Sequence, residues 1–468
     1  MAVFNTLSGQ DYHAVQGSSF AGSLGVSNNP ASITNTPYSW DINILAVQLK
    51  TITNGYRIDN YSLLTSASQS TASMNTGDFH RYLDLNFNLN LINTRIALNR
   101  THTLAFGVNL RGNGRVLTNR YFYADSLPSV DQFLGSNLNR TLEGHFSSSS
   151  WLEAFATYSQ TLWDDDQGRL NGGITLKATR GLSGAFAHLV DFSSVPTPNG
   201  GDTSFTVNSV SGKYGYSNNY DQWQNSRPSS TNIRDFITNT RGGFCFDLGL
   251  EYLVKTQEVS TVYDEDNFFD YDWKFGLSLL DVGYNQYRYG NKSSMFTSPS
   301  PQVTGALLNQ KFDSLSSLAD FNDSLSGIVR GFSPLGGKFR VENPTRLVIN
   351  VDRAFPADFY VNAEISLNIH PSPENSNRYF TQQINLITLT PRWETRRWGF
   401  YLPLQYTIEG HFMAGAALKA GPLLLGIHNL ANLFFKNRIQ NGGGYLALQL
   451  RAPRNLRARA DKRLDCPN

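Results

Sequence analysis

No run of eighteen apolar residues occurs in this sequence, so a membrane-spanning helix is excluded on length alone. Charge is scarce. Asp, Glu, Lys and Arg make up 16% of the 468 residues, against about a quarter in an ordinary soluble domain. Cysteine is scarcer still. Cys245 lies within a strand-like stretch and Cys466 in a terminal tail, so the two do not form a disulfide framework. Neither sign of charge dominates. A net charge of +2 and an isoelectric point near 8.3 leave no footprint for nucleic acid. Residues 1–20 lack a basic segment followed by an apolar one, so a signal peptide is expected to be absent from this numbering.

Catalytic and metal motifs are missing as well. The stretch "GLSGAF", 181–186, does not have the Gly-x-Ser-x-Gly spacing of a nucleophile elbow. The eight histidines are scattered, with no His-x-x-x-His, and Cys-x-x-Cys does not occur. The acidic stretches "DDDQG" and "YDEDNFFDYD" lack the twelve-residue calcium-loop spacing and read as solvated turns. The expectation is a protein that is not an enzyme and holds no cofactor or metal.

What is present is aromatic residues, at 13%, and a clean period of two. In "YLDLNFNLNL", 82–91, Leu83, Leu85, Phe87, Leu89 and Leu91 share one face, and Asp84, Asn86, Asn88 and Asn90 the other. Such alternation marks a strand with one apolar and one polar face. Fourteen stretches behave this way: 39–49, 80–91, 102–111, 151–163, 169–180, 243–254, 271–283, 345–353, 358–370, 381–392, 397–409, 411–420, 422–428 and 444–451. Many are about ten residues long, enough to cross a bilayer at a steep tilt. With a mean hydropathy of −0.33, the pattern predicts an all-β fold, a transmembrane antiparallel barrel of about fourteen strands. Its leucines would face lipid and its asparagines a wet lumen.

The connections alternate in length. Long ones, 50–79, 112–150, 181–242 and 284–344, are separated by 92–101, 164–168, 255–270 and 354–357. Outer-membrane barrels have long outside loops and short periplasmic turns, which places both termini in the periplasm. Within the long loops, 312–332 reads as one amphipathic helix capping the barrel, and 193–205 as a turn-rich, mobile segment. Trp40, Trp151, Trp163, Trp273, Trp393, Trp398 and Phe400, near strand ends, fit interfacial girdles. Glycines 112, 114, 172 and 173 are expected to mark bends or bulges. By alternation Glu153, Lys177, Asp247, Glu251, Asp272, Lys274, Glu364, Glu409 and Lys419 point inward, with His411 beside them.

Residues 17–33, "GSSFAGSLGVSNNPASI", precede the first strand. Their small residues, followed by Asn29-Pro30-Ala31, resemble the start of the fatty-acid-channel (FadL-like) superfamily of outer-membrane barrels. The stretches "SWLEAFATYSQ", "LNGGITLKATRGLSGAF", "GFCFDLGLEYLV", "FGLSLLDVGYNQY", "LTPRWETRRWGFYLPLQYT" and "AGPLLLGIHNLAN" are similar, in this order, to an uncharacterised Bacteroidota family within it. The resemblance implies fourteen strands and an N-terminal segment folded into the lumen. The chain then divides into a plug, 1–36, a barrel, 37–451, and a basic periplasmic tail, 452–468, which holds a cluster of arginines and lysines. Asn29, Pro30 and Ala31 of the plug would meet Asp247, Glu251 and Glu364 of the wall. Two functions are carried forward. One is a gated channel for a small, apolar molecule. The other is an accessory or scaffold subunit of an outer-membrane assembly such as secretion or barrel-insertion machinery. The expected partners are lipopolysaccharide and phospholipid of the outer membrane, and other outer-membrane or periplasmic proteins through the loops and tail.

Overall fold

A computed structural model of the protein describes residues 12–452 apart from 63–69, 128, 200–201, 225, 239, 256–269, 370–377 and 437. The basic stretch 453–468, Cys466, most of the 255–270 turn and the first eleven residues lie outside the described residues.

Fourteen strands form the wall. They are β1 (Trp40–Thr53), β2 (Gly77–Ala97), β3 (His102–Tyr123), β4 (Gly144–Asp164), β5 (Gly168–Asn199), β6 (Gly242–Val254) and β7 (Trp273–Arg288). There follow β8 (Lys338–Glu342, continuing as Arg346–Phe355), β9 (Phe359–Asn368), β10 (Leu386–Glu394) and β11 (Trp398–Tyr401 and Leu404–Thr407). The last are β12 (Phe412–Ala414 and Ala416–Ala420), β13 (Leu423–Ile427) and β14 (Asn441–Arg451). Each pairs antiparallel with the next, and β14 returns to β1, from Asp41 opposite Arg451 to Ile52 opposite Asn441. A closed ring leaves no strand edge, the condition for a sheet to stand in hydrocarbon.

The two faces separate as the alternation requires. Leu85 and Leu91 are exposed on the outside, while Asp84, Asn86, Asn88 and Asn90 are buried toward the lumen. Trp40, Trp163, Trp273, Trp398 and Phe400 are likewise exposed. Trp151 is not a girdle residue. It shares its parity with Glu153, faces inward, is fully buried, and its Nε1 donates to Glu153 Oε2 at 3.0 Å.

The long-loop end departs from expectation in two places. Residues 193–199 remain in β5 and pair with the strand Asp202–Tyr216. Pro196 and Pro198 are tolerated because this part of β5 extends past the end of β4, above the closed ring, and is an edge, where a missing N–H breaks no ladder bond. Residues 312–332 are not one helix. A helix Gly305–Phe312 ends there, Ser317 caps a second, Leu318–Ser326, and a strand Val329–Pro334 follows. Leu308, Leu325 and Ile328 pack on Val207, Val210 and Phe296 of neighbouring strands, so these helices complete a core of their own outside the membrane.

Candidate functional site

The lumen is the site that the fold builds. Residues 12–36 enter it ahead of β1 as three short 3-10 turns, His13–Val15, Gly22–Ser27 and Pro30–Thr34. Small residues permit this compact path. Asn29 caps the last turn, its Oδ1 accepting from Ala31 N at 2.9 Å, and Pro30 sits at the first helical position, where no N–H is needed.

Barrel side chains hold the segment from several directions. Ser18 Oγ donates to Glu394 Oε2 at 2.6 Å, Ser23 N to Asp41 Oδ1 at 2.7 Å, and Asn28 Nδ2 to Glu364 Oε2 at 2.8 Å. In return, Arg95 donates to Ile33 O at 2.6 Å and to Tyr38 O at 2.7 Å, and Ser278 Oγ donates to Asn28 O at 2.7 Å. Apolar contacts add to these. Tyr12, Val15 and Leu24 pack on Tyr401, Leu424 and Tyr445, and Val26 and Ile33 on Phe155.

Asn29-Pro30-Ala31 rests on glycine. Gly173 of β5 and Gly249 of β6 are register partners. A Cβ at Gly173 would lie 2.5 Å from Pro30 C and 2.6 Å from Ala31 N. A Cβ at Gly249 would strike Asn29 Oδ1 and lie 2.9 Å from Pro30 Cδ. Gly173 is therefore a close-approach position rather than a bend. Gly172, its neighbour, faces Leu162 instead. Asn29 Nδ2 then reaches Leu250 O at 2.9 Å.

The expected acidic partners divide. Glu364 meets the inserted segment through Asn28. Glu251 accepts from Asn171 Nδ2 at 3.4 Å and lines a small cavity beside Asn28 and Asn29. Asp247 is committed elsewhere. Its Oδ1 accepts from Lys177 Nζ at 2.8 Å and from Asp281 N at 2.7 Å, because a buried carboxylate is satisfied better by a cation than by an amide.

Two charge networks brace the wall. Arg111 forks onto Asp281 at 2.6 and 2.8 Å, and Lys177 reaches the same carboxylate at 2.7 Å. Arg392 forks onto Asp352 at 2.6 and 2.8 Å and reaches Glu394 at 3.2 Å, and Lys419 bonds Glu394 at 2.7 Å. Alternation from Lys274 turns Asp281 toward lipid. A register shift between Leu279 and Val282, with Asp281 at φ 58°, turns it inward. The signal for it was a carboxylate at an otherwise lipid-facing position, where charge is costly.

Two cavities between the inserted segment and the wall measure about 20 Å³ each, room for roughly one water apiece. At the long-loop end, inward residues turn apolar. Phe186, Tyr287, Phe339 and Tyr379 form one buried cluster, and Ile52, Tyr82, Leu386 and Met413 another. Among the described residues no group of three or more His, Cys, Asp or Glu could hold a metal ion.

No curated protein matches the chain. Among solved structures it is similar to the toluene transporter TbuX of Ralstonia pickettii, at 13% identity and a TM-score of 0.41 over 92% of this chain and 94% of that one. The toluene transporter TodX of P. putida gives 11% and 0.36 over 92% of each. The translocator domain of the autotransporter NalP from Neisseria meningitidis gives 8% and 0.32 over 88% of each. Likenesses this shallow carry no argument about function. The match to a family is of another order: residues 30–427 fit the family of unknown function DUF5723, and the chain belongs to it.

Proposed function

We propose that the protein is a plugged channel of a bacterial outer membrane, shut at rest by residues 12–36, that admits a small apolar molecule from the long-loop side. The observation that carries this reading is the seat of Asn29-Pro30-Ala31 on Gly173 and Gly249. The wall offers no side chain of its own at this seat, and the hydrogen bonds that hold the segment elsewhere are replaceable by water. Such a contact can open without unfolding the barrel. The apolar clusters around Phe186 and Met413, facing inward at the long-loop end, favour an apolar solute over an ion. The polar, water-sized gaps below them would keep ions from leaking past the seated plug. Origin in Bacteroidota rests on the sequence resemblance alone.

The core around Leu308, Val207 and Phe296 favours a second reading, a scaffold, because it stiffens the long loops into a platform for another protein. The two are separated by conductance in planar bilayers together with uptake of a small labelled hydrocarbon. The intact protein is expected to conduct little, and a chain lacking residues 12–36 to conduct steadily and take up solute. If truncation stops the barrel from closing, Gly173→Val in the full chain is read the same way. A folded, truncated barrel that conducts no better than the intact one would overturn the channel reading.

A further inference from the structure

The outer wall carries a second concave feature, unrelated to the lumen. Strand β13 has five residues, and its last, Ile427, lies opposite Gly444 of β14. Beyond that point β14 continues toward Asn441 with β1 as its strand partner, while His428 N bonds Gly443 O at 3.0 Å. A groove of about 600 Å³ opens where β13 stops, within the range of roughly 300–1,000 Å³ typical of small-molecule sites. Gly442, Gly443 and Gly444 offer only backbone to its floor. Leu49, Leu425 and Leu446, all exposed to the outside, form its sides. Tyr56, Ile58 and Ile439 lie over its upper end, and Ile58 and Ile439 exchange backbone hydrogen bonds of 2.9 and 3.0 Å.

The rim is basic. The sequence between β1 and β2, 54–76, and that between β13 and β14, 428–440, contain Arg57, Lys436 and Arg438 but one carboxylate, Asp59, and the two meet where Ile58 pairs with Ile439. Asp59 Oδ2 accepts from Arg57 Nε at 2.9 Å, and its Oδ1 accepts from the backbone N–H of Arg438. Lys436 and Arg438 are exposed. Next to Lys436 in the chain are Phe434 and Phe435, 72% and 68% exposed, among the most exposed apolar residues described. Bare aromatic rings beside cations are the pattern of a membrane–water interface.

An acyl chain gains no hydrophobic free energy by leaving lipid for an apolar groove, since both surroundings are equally dry. What would hold a lipid there is its head. We propose that this groove binds one acyl chain of a phosphorylated glycolipid of the outer leaflet, with Lys436 and Arg438 on its phosphates. The choice of occupant follows from two facts. The groove stands at the long-loop end, the outer side of the membrane in the reading above, and its rim bears excess positive charge.

The test is native mass spectrometry of the full protein released from detergent. The probes are a bisphosphorylated, acylated glucosamine disaccharide, its dephosphorylated form and phosphatidylcholine. One bisphosphorylated lipid is expected to remain bound to the wild type, and the other two to be lost. Lys436→Glu with Arg438→Glu is expected to lower retention on the order of thirtyfold, the effect of two interfacial cations. Thr51→Trp, which fills the groove from its outward face, is expected to lower it with the cations intact; Leu446→Trp serves if that variant does not fold. Equal retention of phosphatidylcholine, or unchanged retention in folded charge-reversed and groove-filled variants, would overturn the proposal. None of these outcomes bears on whether the lumen conducts.

Discussion

Gly249→Ala is the smallest change that acts on the plug and spares the wall. Position 249 sits in the regular part of β6, between register partners Gly173 and Ser278, where alanine is sterically allowed. The added methyl has no room on the lumen side. It would strike Asn29 Oδ1 and lie within 3 Å of Pro30 Cδ and about that from Ala31 N, at 3.1 Å. Overpacking of this kind costs about 1–3 kcal/mol. Here the cost falls on the seated plug alone, because an unseated plug leaves the methyl in open lumen. The ratio of seated to unseated states should therefore fall roughly five- to hundredfold, at about 1.4 kcal/mol per factor of ten. Single-channel recording reads that ratio directly as the fraction of time spent open. Gly172→Ala is the matched control, one residue from the other glycine of the seat but directed at Leu162. It should leave the open fraction unchanged. Equal open fractions for Gly249→Ala and wild type, in barrels that still shift on heating in gels, would refute the argument that the seat keeps the plug in place.

Other expectations follow from the same geometry. Leu85→Arg, on the lipid face, should destabilise by about 2–4 kcal/mol near the bilayer midplane, whereas Asn88→Ser on the lumen side should cost far less; reversible unfolding in lipid vesicles compares them. Arg392→Met takes the arginine from buried Asp352 and leaves Glu394 with Lys419, and should cost about 3–5 kcal/mol, visible as a lower denaturant midpoint. His13 is buried with Nε2 3.3 Å from Lys50 Nζ and its ring 5.7 Å from that of His428. A proton added to the imidazole would face a cation, so seating should weaken as pH falls below about 6.5. Open fractions measured from pH 8 to 5 should rise in the wild type and rise less in His13→Gln.

The barrel was legible in the sequence because its physics is local. A strand with lipid on one side and water on the other must alternate, and all fourteen alternating stretches correspond to strands of the wall. What was hidden depends on register. That Gly173 and Gly249 stand side by side could not be read from two glycines 76 positions apart until β5 and β6 were paired. Asp281 was not among the inward residues that alternation picked out, because simple parity turns it to the lipid side and a bulge overrides parity. Trp151 was the reverse case: parity with Glu153 already turned it inward, and the habit of placing tryptophan at interfaces obscured this. The 312–332 segment has helical spacing, yet Ser317 offers a cap in its middle, and one capped helix of nine residues formed where a longer one was expected.

The ring closes between the first strand and the last, Asp41 opposite Arg451, with some four hundred residues between them. The inserted segment touches both sides of that closure. Ser23 N bonds Asp41, Gln449 Nε2 bonds Ala21 O at 3.0 Å and Asp41 Oδ1 at 2.8 Å, and Arg451 reaches Phe20 O at 3.3 Å. It also leads into β1, so during synthesis it exists before any strand does. Bringing distant ends together is the slow, entropically costly event in building such a ring. A short segment that binds both ends acts as a template for it. The same few hydrogen bonds would then serve biogenesis first, guiding the last strand home, and only afterwards the working life of the barrel.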